Sequence, residues 1–67
     1  MAKIEFEIGD VVSFLDNRGD ERQGKIVGSE VVTDPRRQVG PHFIVETLDL
    51  EVIDIPAGQV VGILTPA

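Results

Sequence analysis

The sequence predicts an all-β protein: one small antiparallel sheet of about five strands, bent over its own core, with a short helical turn before the last strand. Three observations carry this. Apolar residues alternate or gather in short β-branched runs, and no stretch sustains the 3.6-residue period of an amphipathic helix. Clusters of Gly, Pro, Asn and Asp separate those runs. One run, Gln23 to Val32, is long and carries Gly24 and Gly28, the mark of a strand that turns a corner.

Met1 to Phe6 alternates, with Ile4 and Phe6 on one face and charges on the other, as in a protected edge strand. Ile8-Gly9-Asp10 is a turn, and Val11 to Leu15 is a strand with Val12 and Phe14 inward. Asp16 to Arg22 is wholly polar and reads as an exposed loop. It holds Arg18-Gly19-Asp20, a tripeptide that some cell-adhesion receptors recognise, but Gly and Asp are ordinary hairpin-tip residues, and the turn reading is preferred. In the strand Gln23 to Val32, Gly24 and Gly28 are expected on the face of Ile26, where another backbone approaches closely.

Thr33 to Pro41 breaks the pattern with two prolines and a glycine, and its Arg36-Arg37 is the one basic spot. Such a pair suits a phosphate or carboxylate clamp, yet a solvated loop is the simpler reading. His42 to Thr47 is β-prone throughout, with Phe43 and Val45 on one face and Ile44 on the other. Leu48 to Val52 alternates on even numbers and Ile53 to Ile55 on odd ones, a phase switch that places a β-bulge at Val52-Ile53. A turn with Leu48-Asp49 at its tip is the alternative. Pro56 to Gln59 makes the helical turn, and Val60 to Leu64 the last strand. The expected core is Val12, Phe14, Ile26, Val32, Phe43, Val45, Leu50, Val52, Ile55 and Val61.

The 67 residues make a single domain, 1–67. A chain of this size buries only about 60% of its unfolded surface, so its stability is marginal. Without cysteine, neither disulfides nor thiolate metal sites add to it. Lys and Arg number 6 against 12 Asp and Glu, and none of the basic residues follows Arg37. The resulting charge of −6 disfavours nucleic acid and anionic lipid as partners and favours a basic protein. No apolar run has the length of a membrane span or a signal-peptide core, so a cytoplasmic setting is the default expectation.

Five short strands, one long bent pair and a helical turn before the final strand resemble the small SH3-like barrel. Within that architecture, Gly9-Asp10-Val11-Val12, Gln23-Gly24-Lys25-Ile26-Val27-Gly28, Phe43-Ile44-Val45-Glu46-Thr47 and Val52-Ile53-Asp54-Ile55-Pro56 fall in an order that resembles the plasmid-borne type II dihydrofolate reductases. The resemblance spans most of residues 9 to 64 and implies a barrel and a habit of oligomerising. It does not extend to the activity. The family lines a pore between four subunits with a glutamine and a tyrosine just before the proline, and this chain has Ile53, Asp54 and Ile55 there. A ring of Asp54 carboxylates would repel the phosphates of NADPH.

No catalytic residue is assigned. His42 is the only histidine and sits beside a turn, where a surface role is expected. Ser13 and Ser29 lie on strands rather than in a strained glycine elbow. Asp49, Glu51 and Asp54, with His42, have strand spacing rather than a calcium-loop pattern, so they read as a solvated face and no metal is assigned. No glycine-rich phosphate cradle is present and no cofactor is expected.

What remains is a non-catalytic interaction module, acting on a basic partner as an inhibitor or nucleic-acid mimic. Its expected docking residues are Asp16, Asp20, Glu21, Asp49, Glu51 and Asp54. A small-molecule-binding oligomer of the type II reductase kind is the alternative. Val27, Ile44 and Ile53, on the face opposite the inward set, are expected to form a homo-oligomer interface.

Overall fold

A computed structural model describes residues 6–67. The expected strand at Met1 to Phe6 lies outside them, save for Phe6. The elements are β1 (Val11–Leu15), β2 (Glu21–Val32), β3 (Gly40–Thr47), β4 (Val52–Pro56), a 3-10 turn (Ala57–Gln59) and β5 (Val60–Thr65). All pairings are antiparallel, in the order β4-β3-β2-β1-β5. The all-β expectation, the strand count and the helical turn before the last strand are as the sequence predicts. The end strands β4 and β5 do not pair, so the sheet is open rather than closed into a barrel.

The core occupies one face of this sheet. Val12, Phe14, Ile26, Val45 and Ile55 are fully buried, with Phe6, Phe43, Ile53 and Val60 packed against them. Phe6 meets Phe43 edge to face at 5.9 Å between ring centroids. Residues from β1 and β4, at opposite sides of the sheet, lose all solvent exposure only because the sheet curls over that face. The bend sits in β2, where the register with β3 skips from Ile26 to Gly28 and leaves Val27 as an extra residue. A bulge of this kind bends its strand and raises the local twist.

That bulge parts the two glycines of β2 onto opposite faces, while Val32 near the end of the strand is buried, as expected of a core residue. Gly24 shares the inner face with Ile26, and a Cβ there would lie 2.7 Å from the Glu46 carbonyl oxygen, so the expected close backbone approach is present at this position. Gly28 pairs with Ile44 on the outer face instead. No bulge interrupts β4, whose register with β3 runs unbroken from His42↔Pro56 to Glu46↔Val52. The phase switch in the sequence marks instead a tight turn over residues 48–51, with β4 starting after it.

Three expected core residues are therefore exposed: Leu50, Val52 and Val61. Leu50 lies in the turn, and Val52 faces outward beside Glu46. Val61 is skipped by the β1–β5 register, which pairs Val60 with Phe14 and puts Val60 inward in its place. Ile53, opposite Val45, belongs to the core face and not to an outer interface.

Side chains fasten the ends. The buried Asp10 carboxylate accepts hydrogen bonds from the amides of Glu7 (2.9 Å) and Ala67 (2.7 Å), tying the segment before β1 to the chain after β5. Gln59 donates to the Leu15 carbonyl at 2.6 Å, anchoring the 3-10 turn to the end of β1. No helix among the described residues is long and apolar enough to cross a membrane.

Candidate functional site

Antiparallel pairing brings the β1–β2 turn and the β3–β4 turn to the same end of the sheet. Five of the six carboxylates singled out in the sequence lie there: Asp16, Asp20, Glu21, Asp49 and Glu51. Arg22 stands among them, donating to Glu51 at 3.0 Å and to Asp49 at 3.4 Å. Its stem lines a cleft of about 240 Å³ together with Asp16, Asn17, Arg18, Glu51 and Ile53. Ile53 marks the point where this cleft meets the core.

Two carboxylates at this end, Asp16 and Asp49, are held below their ordinary pKa. The amide of Asp20, more than the charges of Arg22 and Arg18, lowers the Asp16 carboxyl below its ordinary value. The Thr47 hydroxyl donates to Asp49 and lowers that carboxyl too. Arg22 is shifted upward, chiefly by its hydrogen bond to Glu51. Asp16 also organises its own turn: one carboxylate oxygen accepts from the amides of Arg18 (2.9 Å) and Asp20 (3.0 Å), while Gly19 takes the left-handed backbone at φ 84°. The Arg18-Gly19-Asp20 tripeptide is thus part of a closed hairpin turn.

The β3–β4 turn carries the most telling feature. Thr47 donates its amide to the Glu51 carbonyl at 2.8 Å, and Leu50 donates to the Thr47 carbonyl at 3.0 Å. This is a three-residue hairpin loop, whose last position requires the left-handed conformation and normally holds glycine. Leu50 occupies it at φ 64°, the only non-glycine residue with positive φ among those described. Its side chain gains nothing from burial: Leu50 is 76% exposed and Leu48 83%. Two leucines therefore project from the acidic end with Asp49 between them.

Asp54 does not join this end. It lies on the outer face of β4 opposite Ile44, and its carboxylate meets His42 Nδ1 at 2.6 Å and Arg37 at 3.4 Å. His42 is not the surface residue its turn position suggests: it is 5% exposed, and its Nε2 lies 2.7 Å from the Gln38 carbonyl. The Gln38 carbonyl first, and then Asp54, raise its pKa above the ordinary value. Desolvation pulls the Asp54 carboxyl upward, but hydrogen bonds from His42 and Glu30 and the charges of His42 and Arg37 outweigh it, leaving the carboxyl lowered.

Arg37 also pairs with Glu30 at 3.0 Å, and Arg36 pairs with Asp34 at 3.2 Å, so both arginines of the expected clamp already hold carboxylates of their own chain. Among the described residues, no three of His, Cys, Asp and Glu are gathered to hold a metal ion. Val27 and Ile44 lie near each other on the outer face around the bulge, without Ile53.

Sequence alone pointed to the acidic turn residues and offered Leu48-Asp49 as the tip of an alternative turn, but placed Leu50 in the core. The signal was the absence of Gly or Asn from Thr47 to Glu51, which hid the turn's register. No protein-family model, curated protein or solved structure matches the chain.

Proposed function

We propose that the protein is a non-catalytic interaction module whose acidic end docks on a basic surface of another protein. The observation that carries this is Leu50. An L-residue in the left-handed region costs about 1–2 kcal/mol. Glycine would close the same turn without that cost, and an exposed leucine returns no burial to offset it. A residue that weakens its own fold, projecting beside a second exposed leucine, is accounted for by contacts made outside the fold. Asp16, Asp20, Glu21, Asp49 and Glu51 supply a rim that stays acidic in balance against Arg18 and Arg22, and a rim of net negative charge selects a partner of the other sign. An apolar centre within a charged rim is also how affinity is concentrated in protein interfaces. An inhibitor or nucleic-acid mimic seated on a basic groove is one form this takes.

The test places a photo-crosslinking residue at position 48 in the native host, identifies the protein it captures, and titrates that protein against the purified chain. Affinity is expected to fall at least tenfold on Leu50→Gly, and to fall steeply with salt because the rim pairs are solvent-screened. An affinity indifferent to both removes the reading. Calorimetry with NADPH at low ionic strength separates the alternative, a small-molecule-binding oligomer: micromolar affinity would favour it over docking.

A further inference from the structure

A strand at the edge of a sheet presents unpaired amides and carbonyls, and proteins ordinarily blunt such edges with charge. The two edges here are treated differently. β4 carries Asp54 and follows directly on Glu51 and Asp49. β5 has no such protection: no ionisable side chain occurs anywhere from Ile55 to Ala67. Among the described residues β5 pairs only with β1, and that ladder is interrupted twice, leaving Val61 and Leu64 without a counterpart. Bulges re-aim side chains, and here they leave Val61, Ile63 and Leu64 at 61%, 42% and 50% exposure along one short strand.

We propose that β5 is a self-docking edge. Two copies pair β5 antiparallel about a two-fold axis, joining two five-stranded sheets into one and setting the valine, isoleucine and leucine of each copy against those of the other. The occupant is a second copy because of charge. A chain of net −6 repels itself wherever its carboxylates lie, so the uncharged stretch is where two copies meet without that penalty. A basic partner would find no carboxylate on β5 to pair with. An antiparallel strand pair is also self-complementary, as a two-fold contact must be. The acidic end stays free in such a dimer, and the inference does not rest on the docking role proposed for it.

A six-residue edge is a small contact, so the dissociation constant is expected in the micromolar range or weaker. Sedimentation equilibrium of the full chain from about 5 to about 500 µM spans that range. The apparent mass is expected to rise from 7.3 kDa toward twice that value. Val61→Lys and Leu64→Lys, each at an exposed position, should keep the circular dichroism spectrum and raise the dissociation constant at least tenfold. Amide exchange on the unaltered chain should slow with concentration across Val60 to Thr65, and this measurement decides the matter if the lysine variants do not fold. A chain that is monomeric throughout overturns the proposal. So does association that survives both lysines in folded protein, or exchange at β5 that is indifferent to concentration.

Discussion

Replacing Leu50 with glycine is expected to stabilise the protein, and the size of the gain follows from the turn. Relief of the left-handed backbone at φ 64° is worth about 1–2 kcal/mol. Against it stands the greater freedom of glycine in the unfolded chain, about 0.4–1 kcal/mol. Loss of the leucine side chain subtracts little, because it is 76% exposed. The net gain is roughly 0.5–1 kcal/mol, which for a domain near this size raises Tm by about 2–8 °C. Thermal denaturation followed by circular dichroism measures it. Two controls isolate the cause. Leu50→Ala keeps a Cβ and with it the backbone cost, so it should gain almost nothing. Leu48→Gly relieves no positive φ and should lose about 0.4–1 kcal/mol. A lower Tm for Leu50→Gly, or an equal gain from Leu50→Ala, would refute the reasoning and with it the claim that Leu50 is there at the expense of the fold.

Three further outcomes are expected. Gly24→Ala should cost roughly 1–3 kcal/mol in urea denaturation, since its Cβ would meet Val45 at 2.6 Å and the Glu46 carbonyl at 2.7 Å, whereas the nearest atom to a Cβ at Gly28 is the flexible tip of Ile44 at 3.3 Å, so Gly28→Ala should cost far less. Asp10→Ala should lose roughly 1.5–3 kcal/mol by the same assay, because it strips the amides of Glu7 and Ala67 of a charged acceptor. His42 binds its proton more tightly in the folded chain than in the unfolded one, so its stabilisation is complete below the unfolded value of 6.5 and is lost as pH rises from there through the raised folded value. The urea midpoint of the unaltered chain should therefore fall over that window, and His42→Gln should flatten the fall; equal slopes in the two proteins would show that the proton is not held by the Gln38 carbonyl and Asp54 against the opposing charge of Arg37.

Much of this protein is written locally. Alternation and turn residues alone mark β1, the long β2, β3 and the 3-10 turn, because strand periodicity and the chemistry of Gly, Pro and Asp are properties of neighbours in the chain. The inward set Val12, Phe14, Ile26, Val45 and Ile55 follows from the same two-residue period. Facing failed at particular register shifts, although Val32, beyond the bulge in β2, is buried as expected. The bulge at Val27 turns Gly28 outward, the β1–β5 shifts exchange Val61 for Val60, and a hairpin turn, not a bulge, separates Leu50 from Val52. One residue of slip reverses every side chain beyond it, and only pairing with another strand determines where the slip falls. The acidic end divides in the same way. Its carboxylates were visible as composition, but the meeting of Asp49 and Glu51 on Arg22, the separation of Asp54 toward His42 and the projection of Leu48 and Leu50 exist only once β2, β3 and β4 lie side by side. Composition states how many charges a chain has; the register of distant strands decides which of them meet.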